Sequence, residues 1–221
     1  MQDYHRSLFL QNVFTRAEID ELSAHFAHQP VAHHYAPQNT NNKNLDYDVE
    51  GSPVNRIIKP KLADILRDPD HEFFGGAYKE YTVPYQLHID NVLPTASLTF
   101  RKKARHSTAF LIPMMEQGDL LRTAIFDVFL PAGHHFTPGS DPVQAVKDLE
   151  PFLSTQATGI DLEEFDHIRE PFKSLLPQIP VDRIQTWRMG SVLTWHFDQL
   201  HCSTNFARYS ITKKMMVIMI N

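Results

Sequence analysis

Cysteine is almost missing from this sequence: Cys202 is the single one in 221 residues. No disulfide can form within the chain, which excludes a stapled secreted scaffold and fits a reducing compartment. Positive charge is not in excess either. Lys and Arg number 21 against 26 Asp and Glu, for a formal net charge of -5. A broad nucleic-acid footprint is therefore not expected. Long hydrophobic runs are lacking too: no stretch approaches the ~20 apolar residues that a membrane span needs. The residues before Arg16 contain no apolar run with a small-residue cleavage site. Internal repeats and low-complexity tracts are absent. The expectation is a soluble, cytoplasmic protein that engages neither membrane nor nucleic acid.

Histidine, by contrast, is plentiful, with 13 residues, and the 42% hydrophobic content is enough for a real core. The length suits one domain with a helical flank. Thr15 to His28 reads as a helix, with Thr15 and Glu18 in capping-box spacing and Ile19, Leu22 and Phe26 on one face. Gln29 to Gly51 reads as a long loop or lid. A second helix is expected over Asn55 to Arg67, with Ile57, Ile58, Leu62, Ile65 and Leu66 inward and Pro60 at a break or first turn.

From Glu72 the character changes to short β-branched and aromatic segments separated by turn residues. Strands are expected at Phe73–Tyr78 and Tyr81–Val83 around a turn, then at Ala96–Phe100, Ser107–Pro113, Thr123–Phe129 and Ser191–Trp195. The terminal run Met215–Ile220 is apolar on both faces, the mark of a central strand. Pro131 to Pro180 interrupts the pattern with helical stretches at Asp141–Phe152 and Leu162–Leu176. The division that follows is a helical flank over 1–70, a β core over 72–130 and 186–221, and a helical and loop insertion over 131–185 near the pocket. Such spacing signals an antiparallel sandwich or barrel. The one basic run, Arg101 to His106, reads as a solvated hairpin end.

The chemistry is carried by His88-Ile89-Asp90. In an extended strand, residues i and i+2 point to one face, so an imidazole and a carboxylate can meet one metal ion. A third ligand is needed far downstream, and His201 supplies it, after a segment that Gly190 opens. Two histidines and one carboxylate on one face of an octahedron leave three positions open for a bidentate co-substrate and O2. His-x-Asp by itself is cheap: His196-Phe197-Asp198 is a second copy, and a competing triad would join it to His88. Ordinary half-buried histidines are the bland alternative.

A keto acid such as 2-oxoglutarate chelated there would have a buried distal carboxylate, which demands a cation. Arg208 with Ser210 on one strand face is one candidate, and Lys214 at the start of the terminal strand is the other. Spacing does not decide between them; Lys214 is slightly preferred, because Arg208 follows His201 closely enough to lie in the turn. Lys213 reads as a solvated hairpin charge.

With these residues in view, the chain resembles the 2-oxoglutarate/Fe(II)-dependent dioxygenases. Tyr85-Gln-Leu-His88-Ile-Asp90-Asn91 is similar to their first metal strand, Phe110-Leu-Ile-Pro113 to the strand after it, and Gly190-Ser-Val-Leu-Thr-Trp195 through His201 to Phe206 to the segment with the distal histidine. The resemblance implies a mostly β fold with flanking helices, a cupin-like double-stranded β-helix or jelly roll. It implies Fe(II) on His88, Asp90 and His201, 2-oxoglutarate anchored by Arg208 or Lys214, and oxidation of a small-molecule C–H bond by O2 as the keto acid becomes succinate and CO2. Tyr85 is expected to reach the pocket through a bulge or twist. The product outcome, whether hydroxylation, desaturation or cyclisation, the substrate, and the oligomeric state stay open. Rival readings are a cupin-type metalloenzyme that uses no keto acid, and a non-catalytic jelly-roll binding module.

Overall fold

The terminal apolar run becomes the middle of the fold. In the computed structural model, which describes residues 7–35, 39–90, 107–116, 118–130, 141–156 and 159–220, the last strand is Lys213–Ile220. It lies antiparallel between Phe73–Tyr81 and Thr108–Pro113. Met216, Ile218 and Ile220 face one layer, while Met215 and Val217 face the other. A strand buried on both sides must be apolar on both, which is why the run shows no alternation.

Ten strands are described, numbered in chain order: β1 (Leu8–Leu10), β2 (His33–Tyr35), β3 (Thr40–Lys43), β4 (Phe73–Tyr81), β5 (Thr108–Pro113), β6 (Arg122–Phe129), β7 (Val181–Thr186), β8 (Val192–His196), β9 (Gln199–Ser203) and β10 (Lys213–Ile220). The larger sheet has the order β1-β8-β5-β10-β4-β3-β2, and the smaller has β7-β6-β9. All pairings are antiparallel. Leu111, Leu193, Trp195, Val217 and Tyr81 of the larger sheet pack with Ile125 of the smaller. Two facing antiparallel sheets of this kind form a double-stranded β-helix, a jelly roll.

Helices cover the outer faces. Helix α1 (Arg16–His28) begins at Thr15, whose hydroxyl accepts from the Glu18 N–H while the Glu18 carboxylate accepts from the Thr15 N–H. Its buried Ile19, Leu22 and Phe26 pack on the larger sheet with Leu62 and Leu66 of α2 (Lys59–Leu66). A wide π turn over Val54–Ile58 leads into α2, and Pro60 occupies the first turn, where no N–H is required. Helix α3 (Pro142–Leu149), capped by the Asp141 carboxylate, packs with Phe165 and Leu176 on the outside of the smaller sheet.

Several expectations change. Phe73–Tyr81 is one strand rather than two around a turn. Gly76 is needed there for closeness: a Cβ would sit 2.4 Å from the Val217 carbonyl oxygen of β10. Gln29 to Gly51 supplies the edge strands β2 and β3, and none of its described residues lines the cavity described below. The 1–70 segment thus adds three strands to the larger sheet, and 131–185 contributes β7 to the smaller. The helix expected over Leu162–Leu176 is largely turns, with a short α4 (Phe172–Leu175). The Ala96–Phe100 strand and the Arg101–His106 run lie outside the described residues. Among the described residues no helix is long and apolar enough to cross a membrane.

Candidate metal centre

One antiparallel bridge closes the long gap between the two histidines. The His88 N–H donates to the His201 carbonyl at 3.0 Å and the His201 N–H to the His88 carbonyl at 2.9 Å. Two residues on, the Asp90 N–H donates to the Phe197 carbonyl at 3.1 Å, so the His88–Asp90 segment runs as an extra extended piece beside β9. Extended backbone puts His88 and Asp90 on one face, and the bridge puts His201 opposite. Potential ligand atoms of His88, Asp90 and His201 all lie within 4.8 Å of one another. His201 Nε2 is 3.7 Å from Asp90 Oδ2, and the two imidazole centroids are 4.2 Å apart.

Each histidine is oriented by its own strand. His88 Nδ1 meets the Gln86 carbonyl at 2.7 Å and His201 Nδ1 meets the Gln199 carbonyl at 3.0 Å. That pairing places the proton on Nδ1 and turns Nε2 inward with a free lone pair. Burial, then the adjacent His201, pushes His88 down to about 3, and burial lowers His201 as well. Burial thus favours the neutral imidazole, the form that binds metal. Burial pulls the Asp90 carboxyl upward, but His201, His88, Lys79 and the Trp195 indole outweigh it, and the group lies below its ordinary value.

The three side chains line a cavity of about 170 Å³ between the sheets. A second polar group lines the same cavity. Lys213, 2% exposed, lies with its Nζ 4.1 Å from the Trp187 ring centroid, 5.1 Å from that of Tyr81 and 5.5 Å from that of Phe206. No carboxylate among the described residues pairs with it, and burial holds its ammonium well below the ordinary lysine value. Ser203 lines the cavity too, its Oγ buried with no hydrogen-bond partner among the described residues. Ser203 follows His201 by two on β9 and so shares its inward face; across the sheet it pairs with Thr123, which accepts from Trp187 Nε1 at 2.9 Å.

The cation expected here is a different one. Lys214 alternates away from its neighbour, is exposed, and lies 3.8 Å from Glu80. Arg208 is not on a strand: Phe206–Tyr209 is a 3-10 turn, and the Arg208 guanidinium donates to the Glu163 carbonyl at the surface. Ser210 closes that turn at φ 55° and is exposed. None of the three lines the cavity, and Lys213, read from sequence as a solvated charge, does. Tyr85 does line it, its ring 5.3 Å from that of His88 and tilted to it, with Lys79 Nζ 5.7 Å from its centroid. His196 and Asp198 form their own contact in the β8–β9 turn, 3.7 Å apart, so the competing triad is not assembled. Sequence reasoning also missed Ser203 and Trp195. Alternation counted back and forward from His201 along β9 would have found the first; nothing in the letters marks the second.

No family model and no curated protein sequence matches this chain. Its fold does match solved structures. The non-heme alpha-ketoglutarate-dependent carbocyclase SnoK from nogalamycin biosynthesis aligns at TM-score 0.61 and 10% identity, over 98% of this chain and 79% of that one. HygX from Streptomyces hygroscopicus, solved with nickel and 2-oxoglutarate, aligns at 0.58 and 13% identity, over 99% and 84%. EctD from S. alaskensis, solved with 2-oxoglutarate and 5-hydroxyectoine, aligns at 0.56 and 12% identity, over 99% and 73%. At this level of identity the likeness is one of fold.

Proposed function

We propose that this protein is a ferrous iron- and 2-oxoglutarate-dependent oxygenase that oxidises a C–H bond of a small molecule. The observation that carries the reading is a buried lysine, Lys213, with no carboxylate partner among the described residues, in the same cavity as a His-Asp-His cluster with three converging ligand atoms. The cluster suits a divalent metal with open positions. The ammonium suits the far end of a dianionic chelator. Fold neighbours solved with 2-oxoglutarate support the same assignment.

His88 and His201 would hold the metal through Nε2 and Asp90 through a carboxylate oxygen. When bound, iron and 2-oxoglutarate supply the activation of O2, with the keto acid leaving as succinate and CO2. The chain does the positioning. Lys213 would receive the distal carboxylate, and the Ser203 hydroxyl, buried in the same cavity without a hydrogen-bond partner among the described residues, is proposed to donate a further hydrogen bond to it. A charged pair in a pocket walled by Tyr81, Trp187 and Phe206 is short of water and correspondingly strong. Tyr85 and Lys79 line the cavity beside His88 and are proposed to meet the substrate. Hydroxylation, desaturation and cyclisation are all outcomes open to such a centre, and among the fold neighbours are an epimerase and a carbocyclase.

The test is succinate release. Protein supplied with Fe(II), 2-oxoglutarate and air is expected to form succinate slowly without substrate and faster when a small-molecule library contains a substrate. His201→Gln is expected to abolish both rates. No succinate under any condition, with intact fold, would favour a metalloenzyme without a keto acid or a binding module.

A further inference from the structure

We infer that Trp195 is a positioning residue for the Asp90 carboxylate, fixing it in register with the two histidines from the opposite sheet. The inference rests on the metal-centre reading above.

The two histidines and the aspartate are held differently. Each imidazole is oriented by a carbonyl two residues before it on its own backbone. Among the described residues, Asp90 has no such local support: its side chain receives one hydrogen bond, from Trp195 Nε1 to Oδ2 at 2.7 Å. That length is typical of a bond to an ionised acceptor. A short carboxylate side chain otherwise has rotamer freedom, and a ligand that rotates costs metal affinity.

Trp195 is built to take that role. On β8, Val192 faces the outer layer while Leu193 and Trp195 face the inter-sheet core. The ring is 3% exposed, so its one N–H must find an acceptor inside the protein, and Asp90 is that acceptor. The same ring lies 4.6 Å from the His201 ring, centroid to centroid, at 43°. One rigid side chain of the larger sheet therefore touches two of the three ligands carried by the strands opposite. The other tryptophan, Trp187, lies against Lys213 and donates to Thr123, so the two indoles serve different groups in the cavity.

The experiment is an anaerobic Fe(II) titration of the full chain and of Trp195→Phe, which keeps an aromatic ring near His201 and removes the N–H donor together with part of the indole's bulk. Outer hydrogen bonds of this kind typically contribute about 10–100-fold in metal affinity, and a loss of that size is the expected result. A role in packing alone would be largely retained by phenylalanine, so equal affinities for the two proteins overturn the inference. Failure of the wild-type protein to bind Fe(II) would instead remove the metal-centre reading itself. If the variant does not fold, the wild-type indole N–H resonances decide. Zn(II), as a diamagnetic probe, is expected to move the Trp195 signal, assigned against Trp187→Phe, and a stationary Trp195 signal overturns the inference.

Discussion

An ammonium buried among Tyr81, Trp187 and Phe206 costs free energy until an anion reaches it. Lys213→Met removes that cost. Its ligand-free thermal midpoint is expected to equal or exceed that of the wild type, while the 2-oxoglutarate concentration for half-maximal succinate release rises at least ~100-fold, about 3 kcal/mol. Fe(II) affinity should hold. The histidines give a second residue-level outcome. Burial, with His201 adjacent, lowers His88 from 6.5 to about 3. The unfolded chain takes up a proton near pH 6.5 that the folded chain refuses until near pH 3, so stability of the metal-free protein falls as pH drops through that window. His201 and His167 are lowered too and act with the same sign. Urea midpoints between pH 7 and 4 should decline for the wild type and decline less steeply for His88→Gln. His88 and Asp90 were legible in the letters because i, i+2 spacing has one meaning in extended backbone, and His201 because a third ligand was sought after the segment that Gly190 opens. Lys213 was not, because a strand apolar on both faces gives no sign of which parity points inward.

At the scale of elements, β4 passes close to β10 at Gly76. A Cβ on Gly76 would lie 2.4 Å from the Val217 carbonyl oxygen and 2.9 Å from Leu45 Cδ1, whereas one on Gly75 would meet only the flexible end of Met219 at 3.3 Å. Gly76→Ala is expected to destabilise by about 1–3 kcal/mol, and Gly75→Ala by less than ~0.5 kcal/mol, since a mobile thioether can yield; denaturant midpoints compare them. Elements with strong local signals were read well: the capping box of α1, the apolar face of α2, and β5, β6, β8 and β10. Those without were not. Gln199-Leu-His-Cys-Ser of β9 is dictated by the Phe197 turn and by pairing with β6, neither of which has a local signature. The short β1–β3 segments owe their strand form to the edges they extend.

For the whole molecule, the cavity lies where the two sheets face each other, so a metal held there ties β9 and the His88–Asp90 segment to the larger sheet through Trp195. Ligand present at about 100 times its dissociation constant contributes about 2.7 kcal/mol. For a chain of this length that corresponds to a rise in thermal midpoint of about 5–10 °C. Ni(II), which does not oxidise, should produce it, a chelator should reverse it, and Asp90→Asn should abolish most of it. An antiparallel sandwich or barrel could be anticipated from the short strands between turn residues, and the jelly roll from the family resemblance. The membership of each sheet could not, since long-range pairing is set by the completed core.

The most direct measurement adds 2-oxoglutarate to the Fe(II)-loaded protein under argon and follows the visible absorption. Chelation of the keto acid to iron held by His88, Asp90 and His201 is expected to give a weak charge-transfer band that saturates at one equivalent in the wild type and demands far more 2-oxoglutarate in Lys213→Met. A wild-type protein that binds Fe(II) but shows no such band, or a Lys213→Met variant that saturates like the wild type, would contradict the account.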